Sequence, residues 1–194
     1  MVAAKIGDQR VYREAKRRGF NEAKRRVILG DGALWIWNLA SEQFPWAIQI
    51  VDLFHAKEHL SEVAKAIYGP SSDLGRQWAK RRHDQLDEGK LDALLDALRV
   101  HAKTSDEARR CIDYITRNRN RMRYPQFRAR GLCVSSGVVE AGCKLAIGTR
   151  LKRSGMHWTI PGADAIIALR CSVLSGRFPS FWQRHANQPA RQCA

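Results

Sequence analysis

Two short apolar runs stand out in the first third of the chain, and each leads to an acidic residue. The first run, residues 27–29, is followed by Asp31 between two glycines, and the second, residues 47–51, ends at Asp52. Runs of this length, bounded by turn residues and followed by helical periodicity, predict strands of a sheet that is covered on both faces. The carboxyl ends of such strands carry the chemistry of α/β folds, so both aspartates are candidate functional residues.

Asp31 also has a purely structural alternative. Its flanking glycines let the backbone turn sharply and leave the carboxylate uncrowded. Asp is favoured in turns and at helix N-caps, and a helix is predicted over residues 33–40. The pattern alone therefore leaves a turn or cap residue open beside a functional one.

A stripe of apolar residues at helical period, from Leu53 to Ile67, predicts a helix over residues 53–68. By the same spacing His55 and His59 lie together beside the stripe, where they can face a site at the helix start. Residues 73–122 show no strand signal. Further helices are predicted within residues 8–26 and over residues 74–87, 91–101, 106–122, 135–147, 161–174 and 178–185.

The predicted fold class is therefore α/β but mostly helical overall, with two short strands and a large all-α insertion. We expect three regions. Residues 1–72 would carry the strands, residues 73–131 would be the helical insertion, and residues 132–194 would add carboxyl-terminal helices.

The net charge of the chain indicates which class of binding partner to expect. The chain has 44% hydrophobic residues, a net charge of +15 and a sequence pI of about 10.2, which favours a polyanion, with nucleic acid first and an anionic membrane surface second. Apolar runs are too short to span a bilayer and no signal segment follows Met1, so a cytoplasmic protein is expected. Its five scattered cysteines favour reduced thiols and argue against a cysteine-rich zinc site.

Two basic segments with interleaved aromatic residues suit contacts to phosphate and stacking on bases. A basic, solvated helix end is the structural alternative. The candidate DNA-binding residues are Arg117, Arg119, Arg121, Arg123, Arg128, Arg130, Lys144, Arg150, Lys152, Arg153 and Trp158.

Glu140 is a further candidate. A serine at position 135 or 136 is a good N-cap, which places Glu140 in or near the first turn of the following helix. Its structural alternative is a carboxylate that complements the helix dipole and pairs with Lys144 four residues on.

Several stretches, taken in order, resemble a known family. They are GDGALWIWNLA, AIQIVDLFHAKEHL, RMRYPQFRARGLCVSSGVVEAGCKLAIGTRLKRSGMHW and GADAIIALRCSVLSGRF. Together they are similar to the carboxyl-terminal half of bacterial insertion-sequence transposases of the ISKra type, which are DDE enzymes related to the Mutator superfamily. The resemblance covers about residues 10–185 and implies a partial RNase H-like fold.

The resemblance also implies roles. Asp31 would be the second catalytic aspartate, Glu140 the final glutamate, and Asp52 with His55 the D-x-x-H signature of the family. Asp31 and Glu140 would bind Mg²⁺ or Mn²⁺, because clustered carboxylates stay ionised together only around cations. Such a site nicks DNA and transfers strands at insertion-sequence ends. In the same assignment, Trp158 or Tyr124 would stack on a displaced base. DNA ends, target DNA and further copies of the chain would be partners, in association with the nucleoid.

One departure from the family's pattern matters. The family places its first catalytic aspartate on the first strand of the sheet, and before residue 27 this chain offers only Asp8, in a predicted helix. The sequence therefore predicts a truncated transposase with two of three catalytic carboxylates, inactive on its own.

Two rival functions stay open. Residues 55–59, HAKEH, fit the inverted zinc-peptidase motif H-x-x-E-H through His55, Glu58 and His59. The strong positive charge speaks against a peptidase. The other rival is a non-catalytic basic DNA-binding protein with structural carboxylates. Dependence on a metal ion distinguishes the transposase, the zinc peptidase and the non-catalytic DNA-binding protein. Of these, only the non-catalytic protein binds DNA without a metal and without cutting it.

Overall fold

A computed structural model describes residues 2–152 and 155–186 of the chain. Its elements are α1 (Val2–Arg17), β1 (Val27–Gly30), α2 (Leu34–Gln43), β2 (Ile48–Val51), α3 (Leu53–Tyr68), α4 (Asp73–Asp87), α5 (Leu91–Arg99), α6 (Asp106–Asn118), a 3₁₀ turn (Arg119–Arg121), α7 (Tyr124–Ala129), α8 (Gly137–Cys143), a π-helical turn (Lys144–Gly148), α9 (Thr149–Leu151), α10 (Ile160–Leu174) and α11 (Phe178–Ala186). The chain divides into two compact units. Unit 1 ends at Ser136, and unit 2 begins at Gly137.

The two predicted strands pair in parallel, and the helix α2 connects them along the chain. Val27 is opposite Ile48, and Gly30 is opposite Val51. Parallel strands need a crossover connection, which α2 supplies, and side chains of β2 are fully buried at Ile50 and Val51. Both acidic turns therefore leave the same edge of the sheet. The mostly helical α/β class is confirmed, whereas the RNase H-like assignment stays a prediction.

The helix over residues 53–68 forms with the predicted bounds, because its apolar stripe is buried and Asp52 caps its start. The predicted helix over 106–122 is shorter. It stops at Asn118, continues as the 3₁₀ turn, and a separate helix α7 follows. Pro125 is compatible with α7 because a proline at the start of a helix removes no intrahelical hydrogen bond.

A single hydrophobic core holds unit 1 together. It joins the strand residues Ile50 and Val51 to Leu60 of α3, Leu94 of α5 and Ile115 of α6, all of which are at most 2% exposed. Helices of the predicted insertion thus pack on the same core as the strands. The core fixes the end of α6 beside the turn that follows β1.

Unit 2 is helical and more exposed. Its helix α10 begins at the Thr159 N-cap, whose hydroxyl accepts a hydrogen bond from the backbone N–H of Gly162. The guanidinium of Arg170 in α10 donates to the carbonyl oxygens of Ala146 (2.8 Å) and Leu145 (2.6 Å) in the π-helical turn. These bonds join α10 to the π-helical turn. Within residues 2–152 and 155–186, no helix combines the length and apolar character that a transmembrane span requires.

Candidate nucleic-acid-binding cleft

Asp31 lies in the turn that follows β1. Its Oδ1 accepts a 2.9 Å hydrogen bond from the backbone N–H of Ala33, and its carbonyl oxygen accepts a 2.8 Å hydrogen bond from the Tyr114 hydroxyl. Gly32 takes a φ of +100°, which an L side chain rarely adopts. The turn alternative therefore describes the local backbone, while the carboxylate itself is exposed. The N-cap of α2 is Ala33, so Asp31 does not cap that helix.

The Asp31 carboxylate borders a cleft of about 420 Å³. In the same lining, α3 contributes two imidazoles, and α6 with the 3₁₀ turn contributes two guanidinium groups and a phenol. The ionisable residues that line this Asp31 cleft are Asp31, His55, His59, Tyr114, Arg117 and Arg121. One acidic residue therefore shares a single concave site with two permanent positive charges.

His55 and His59 lie together, as their helical spacing predicts. Their rings make an edge-to-face pair with centroids 4.9 Å apart, and the His59 ring lies 4.2 Å from the ring of Tyr114. His55 Nδ1 is 3.2 Å from Oε2 of Glu58. Burial lowers the pKa of His59 and His55 lowers it further, although Glu107, Glu58 and Asp31 oppose the shift. The neutral imidazole of His59 is thus the favoured form at neutral pH.

The Asp52 carboxylate accepts structural hydrogen bonds at both of its oxygens. Its Oδ1 accepts hydrogen bonds from the backbone N–H groups of Phe54 (2.8 Å) and His55 (3.2 Å), and its Oδ2 accepts one from Ser136 (2.6 Å). The residue is only 4% exposed and is not part of the lining of the Asp31 cleft. Both oxygens are therefore engaged in joining β2 and α3 to the segment before unit 2. A catalytic role for Asp52 stays a prediction.

The donor set in the described residues does not complete a metal site. Residues 2–152 and 155–186 contain no group of three or more His, Cys, Asp and Glu side chains that could hold a metal ion. Asp31 supplies one carboxylate, and one of its oxygens already accepts a backbone hydrogen bond. Glu140 lies in the first turn of α8, as expected, but in unit 2, whereas Asp31 belongs to unit 1. A shared Mg²⁺ or Mn²⁺ site stays a prediction.

The HAKEH segment does not favour zinc. Zinc-peptidase chemistry needs two histidines and a further ligand around one ion, with a water held in place by a carboxylate. Here His55 faces Glu58, and the ring of His59 packs on Tyr114. No third ligand joins the two histidines among the side chains that the structure describes.

The predicted DNA-binding arginines of unit 1 fall into two groups. Arg119 binds the Asp92 carboxylate through two hydrogen bonds of 2.8 and 2.7 Å, and Arg128 pairs with Asp87 at 2.7 Å. These two positive charges are compensated within the protein. The remaining predicted arginines of this segment are Arg117, Arg121, Arg123 and Arg130, and none of them has a carboxylate partner in the described part of the chain.

Arg121 is held rigidly. Its Nε donates a 2.7 Å hydrogen bond to Oε1 of Gln49, and its guanidinium lies 4.7 Å from the ring centroid of Trp37. The Trp37 ring is buried and Gln49 belongs to β2, so the position of this charge is set by the core. Its surroundings lower the pKa of Arg121 through burial, but a guanidinium stays charged at any physiological pH.

In unit 2, Lys144, Arg150 and Lys152 are exposed, and the guanidinium of Arg150 lies 6.0 Å from the ring centroid of Trp158. Arg153 lies outside the described residues.

The expectation that Tyr124 stacks on a base is wrong, because its side chain is 0% exposed and belongs to the core. Trp158 is only half-buried, so stacking there stays a prediction.

Sequence reasoning missed the residues that shape the Asp31 cleft. The sequence pattern assigns no site role to Tyr114, Trp37 or Gln49. Their contribution depends on contacts between residues 72 to 84 positions apart, which no local pattern reveals. Comparisons of the chain with protein-family models, with curated proteins and with solved structures found no significant match. The function proposed below therefore rests on the cleft, on the charge and on the resemblance of the sequence stretches described above.

Proposed function

We propose that this chain is a DNA-binding protein of the DDE-transposase type and that its Asp31 cleft binds the DNA backbone. The observation that carries the proposal is the convergence of Asp31, Arg117 and Arg121 on one cleft at the carboxyl end of β1. A carboxylate in that place suits phosphoryl-transfer chemistry, and two guanidinium groups beside it suit the phosphate that such chemistry acts on. Transposon ends and target DNA would be the partners, bound by further copies of the chain in one complex.

Charge supports a polyanionic ligand. With 34 Lys and Arg against 19 Asp and Glu, the net charge is +15. Several surface arginines are neutralised by carboxylates, but Arg117 and Arg121 keep their charge at the cleft. Contacts from such arginines to phosphate release counterions, which makes the affinity depend strongly on salt.

The residues of unit 1 bind and orient, and we assign them no metal-dependent step. Arg117 is exposed, and its Nε donates to the backbone oxygen of Asp113, which leaves the two Nη groups to face a phosphate. Arg121 is fixed on Trp37 and supplies a second contact in a set position. By the family resemblance, Asp31 and Glu140 are the residues that would hold Mg²⁺ or Mn²⁺, and such an ion would supply Lewis-acid activation of a phosphate ester.

A non-catalytic DNA-binding protein is the second candidate function. The placement of Asp52 favours it, because both carboxylate oxygens are engaged in hydrogen bonds to backbone. The lack of a three-ligand cluster within the described residues points the same way. Both candidates share the DNA-binding cleft and differ only in whether DNA is cut.

Two measurements test the proposal. The first is salt-dependent binding of a labelled DNA duplex, and the second is nicking and strand transfer on the same duplex with Mn²⁺. Asp31→Ala and Glu140→Ala should abolish cutting but leave binding, whereas Glu62→Ala, which removes an exposed carboxylate of α3 paired with Lys65, should change neither. Binding without cutting by the wild-type chain would select the non-catalytic candidate. Absence of DNA binding would contradict both.

A further inference from the structure

A second concave surface adjoins the Asp31 cleft. This groove, of about 460 Å³, is bordered by the start of β2, the end of α6, the 3₁₀ turn and α7. Four arginines line it, namely Arg117, Arg121, Arg123 and Arg130. Arg117 and Arg121 line the Asp31 cleft as well, so the two concave surfaces are neighbours that share these two arginines. We call the second one the arginine groove.

The lining of the arginine groove is suited to an anion. Among the described residues that border it, none is acidic. Its other polar members are the amides Gln49, Asn120 and Gln126, which compensate no charge. The Nη2 of Arg123 donates a 2.6 Å hydrogen bond to the amide oxygen of Asn120, which orients the guanidinium without neutralising it. The lining of this groove therefore favours a negatively charged ligand.

The same stretch of chain supplies an internal contrast. Arg119 and Arg128 belong to the same run of arginines as Arg123 and Arg130, but they bind Asp92 and Asp87 and do not line the groove. The run is thus divided by its ion pairs into compensated arginines and groove arginines. Composition and spacing alone cannot make this distinction, because the two kinds are interspersed along the sequence.

We propose that the arginine groove binds the sugar-phosphate backbone of the DNA strand that enters the Asp31 cleft, with Arg123 and Arg130 on phosphates beyond the cleft. The proposal rests on the DNA binding proposed above and deepens it by giving the path of the strand. The path starts at Asp31, crosses Arg117 and Arg121, which both concave surfaces share, and continues along α7. Arg121, fixed on Trp37 and Gln49, holds the junction.

A backbone fits this path better than a single anion, because four guanidinium groups line two neighbouring concave surfaces. Each guanidinium can bind one phosphate with paired hydrogen bonds, and successive phosphates along a strand would meet successive arginines. Contacts to phosphate carry no base sequence, so the groove should contribute affinity that is similar for all sequences. An acidic polypeptide is the competing ligand that the experiment must separate.

The test measures the affinity of the full chain for a fluorescent DNA duplex by anisotropy across a series of salt concentrations. Arg123→Gln and Arg130→Gln should each weaken binding about 5- to 10-fold at ~0.1 M salt and lower the salt slope by about 1. The effect should be the same for duplexes of unrelated sequence. Arg119→Gln and Arg128→Gln remove the same charge from the same segment and should bind within about 2-fold of the wild type.

The outcomes separate the two proposals. If the wild-type chain binds no DNA, the proposed function fails. If it binds DNA but Arg123→Gln and Arg130→Gln bind as the wild type does, or if all four variants lose equally, the groove assignment alone is overturned. Poly-glutamate that displaces the duplex as effectively as unlabelled DNA would also overturn it, in favour of an acidic polypeptide. Urea unfolding of each variant confirms that the losses come from the surface and not from misfolding.

Discussion

The hydroxyl of Tyr114 donates a 2.8 Å hydrogen bond to the carbonyl oxygen of Asp31. This bond joins the middle of α6 to the turn after β1 and packs the phenol ring directly over Gly32, where a Cβ would overlap it. The contact positions the Asp31 turn against the arginines of α6. The geometry of the cleft therefore depends on a glycine that has room for no side chain.

Gly32→Ala should destabilise unit 1 more than an ordinary glycine replacement. An alanine at position 32 is strained by the φ of +100° and also collides with the ring of Tyr114. Gly69 is a matched control, because its φ is +89° and a Cβ there would meet nothing within 4 Å. Gly69→Ala should cost about 1–3 kcal/mol, and Gly32→Ala about 1–3 kcal/mol more, as measured by urea unfolding. Equal losses would show that the Tyr114 contact does not constrain this turn.

Asp52→Ala should destabilise the protein more than the loss of an ordinary helix cap. It removes acceptors for Phe54, His55 and Ser136 in a residue that is 4% exposed, so we expect a loss of about 3 kcal/mol in the free energy of unfolding. Ser72 caps α4 through one hydrogen bond to Gly75, and Ser72→Ala should cost about 1 kcal/mol. Similar losses in the two variants would mean that the bond to Ser136 contributes nothing.

The strands and the helix α3 were predictable because their signals are local. The apolar run that became β2 needs only its own residues and a turn, and the stripe of α3 repeats at helical period. The end of α6 was not predictable in the same way. Its basic, polar sequence continues past Asn118 without a local signal for a helix end. The change to a 3₁₀ turn and then to α7 buries Met122 and Tyr124, and this burial is favourable only because the tertiary core is present.

The candidate site was predictable in part. The position of Asp31 at the end of a strand, and of His55 beside His59, follows from sequence spacing, and both lie at the Asp31 cleft. The residues that pair with each charged side chain could not be predicted from the sequence. The charge of Arg119 is compensated by Asp92, 27 residues away, whereas Arg121 donates a hydrogen bond to Gln49, 72 residues away. Pairings at such separations are set by the packing of helices and cannot be inferred from composition.

Cys111 should resist alkylation in the folded protein, whereas Cys133 should react. The Cys111 side chain lies in the core, and burial raises the pKa of its thiol to about 12, so the reactive thiolate is scarce at neutral pH. Cys133 is exposed. Treatment with N-ethylmaleimide followed by peptide mass spectrometry measures both sites in one sample. In urea the two should react alike, and early labelling of Cys111 without urea would contradict the buried placement.

Acid should destabilise unit 1 below about pH 6.5 through two half-buried histidines. Burial lowers the pKa of both His59 and His83 from the ordinary value of 6.5. The lowering prevails at His59 over Glu107, Glu58 and Asp31, and at His83 over Asp87, Asp84 and the bond between its Nε2 and the Lys57 carbonyl. The unfolded chain then binds protons before the folded chain does as the pH falls. The free energy of unfolding must therefore decrease with falling pH in this window.

Urea unfolding at pH 7.5 and at pH 5.5 measures this decrease. The double variant His59→Gln/His83→Gln has neither titrating ring, so its stability should change less between the two pH values than that of the wild type. His157→Gln removes an exposed histidine and should keep the wild-type dependence. The depressed pKa of the Asp87 carboxyl, which hydrogen bonds from Lys57 and Arg128 maintain against burial, affects stability only at lower pH. A double variant as acid-sensitive as the wild type would show that other groups control the stability in this range.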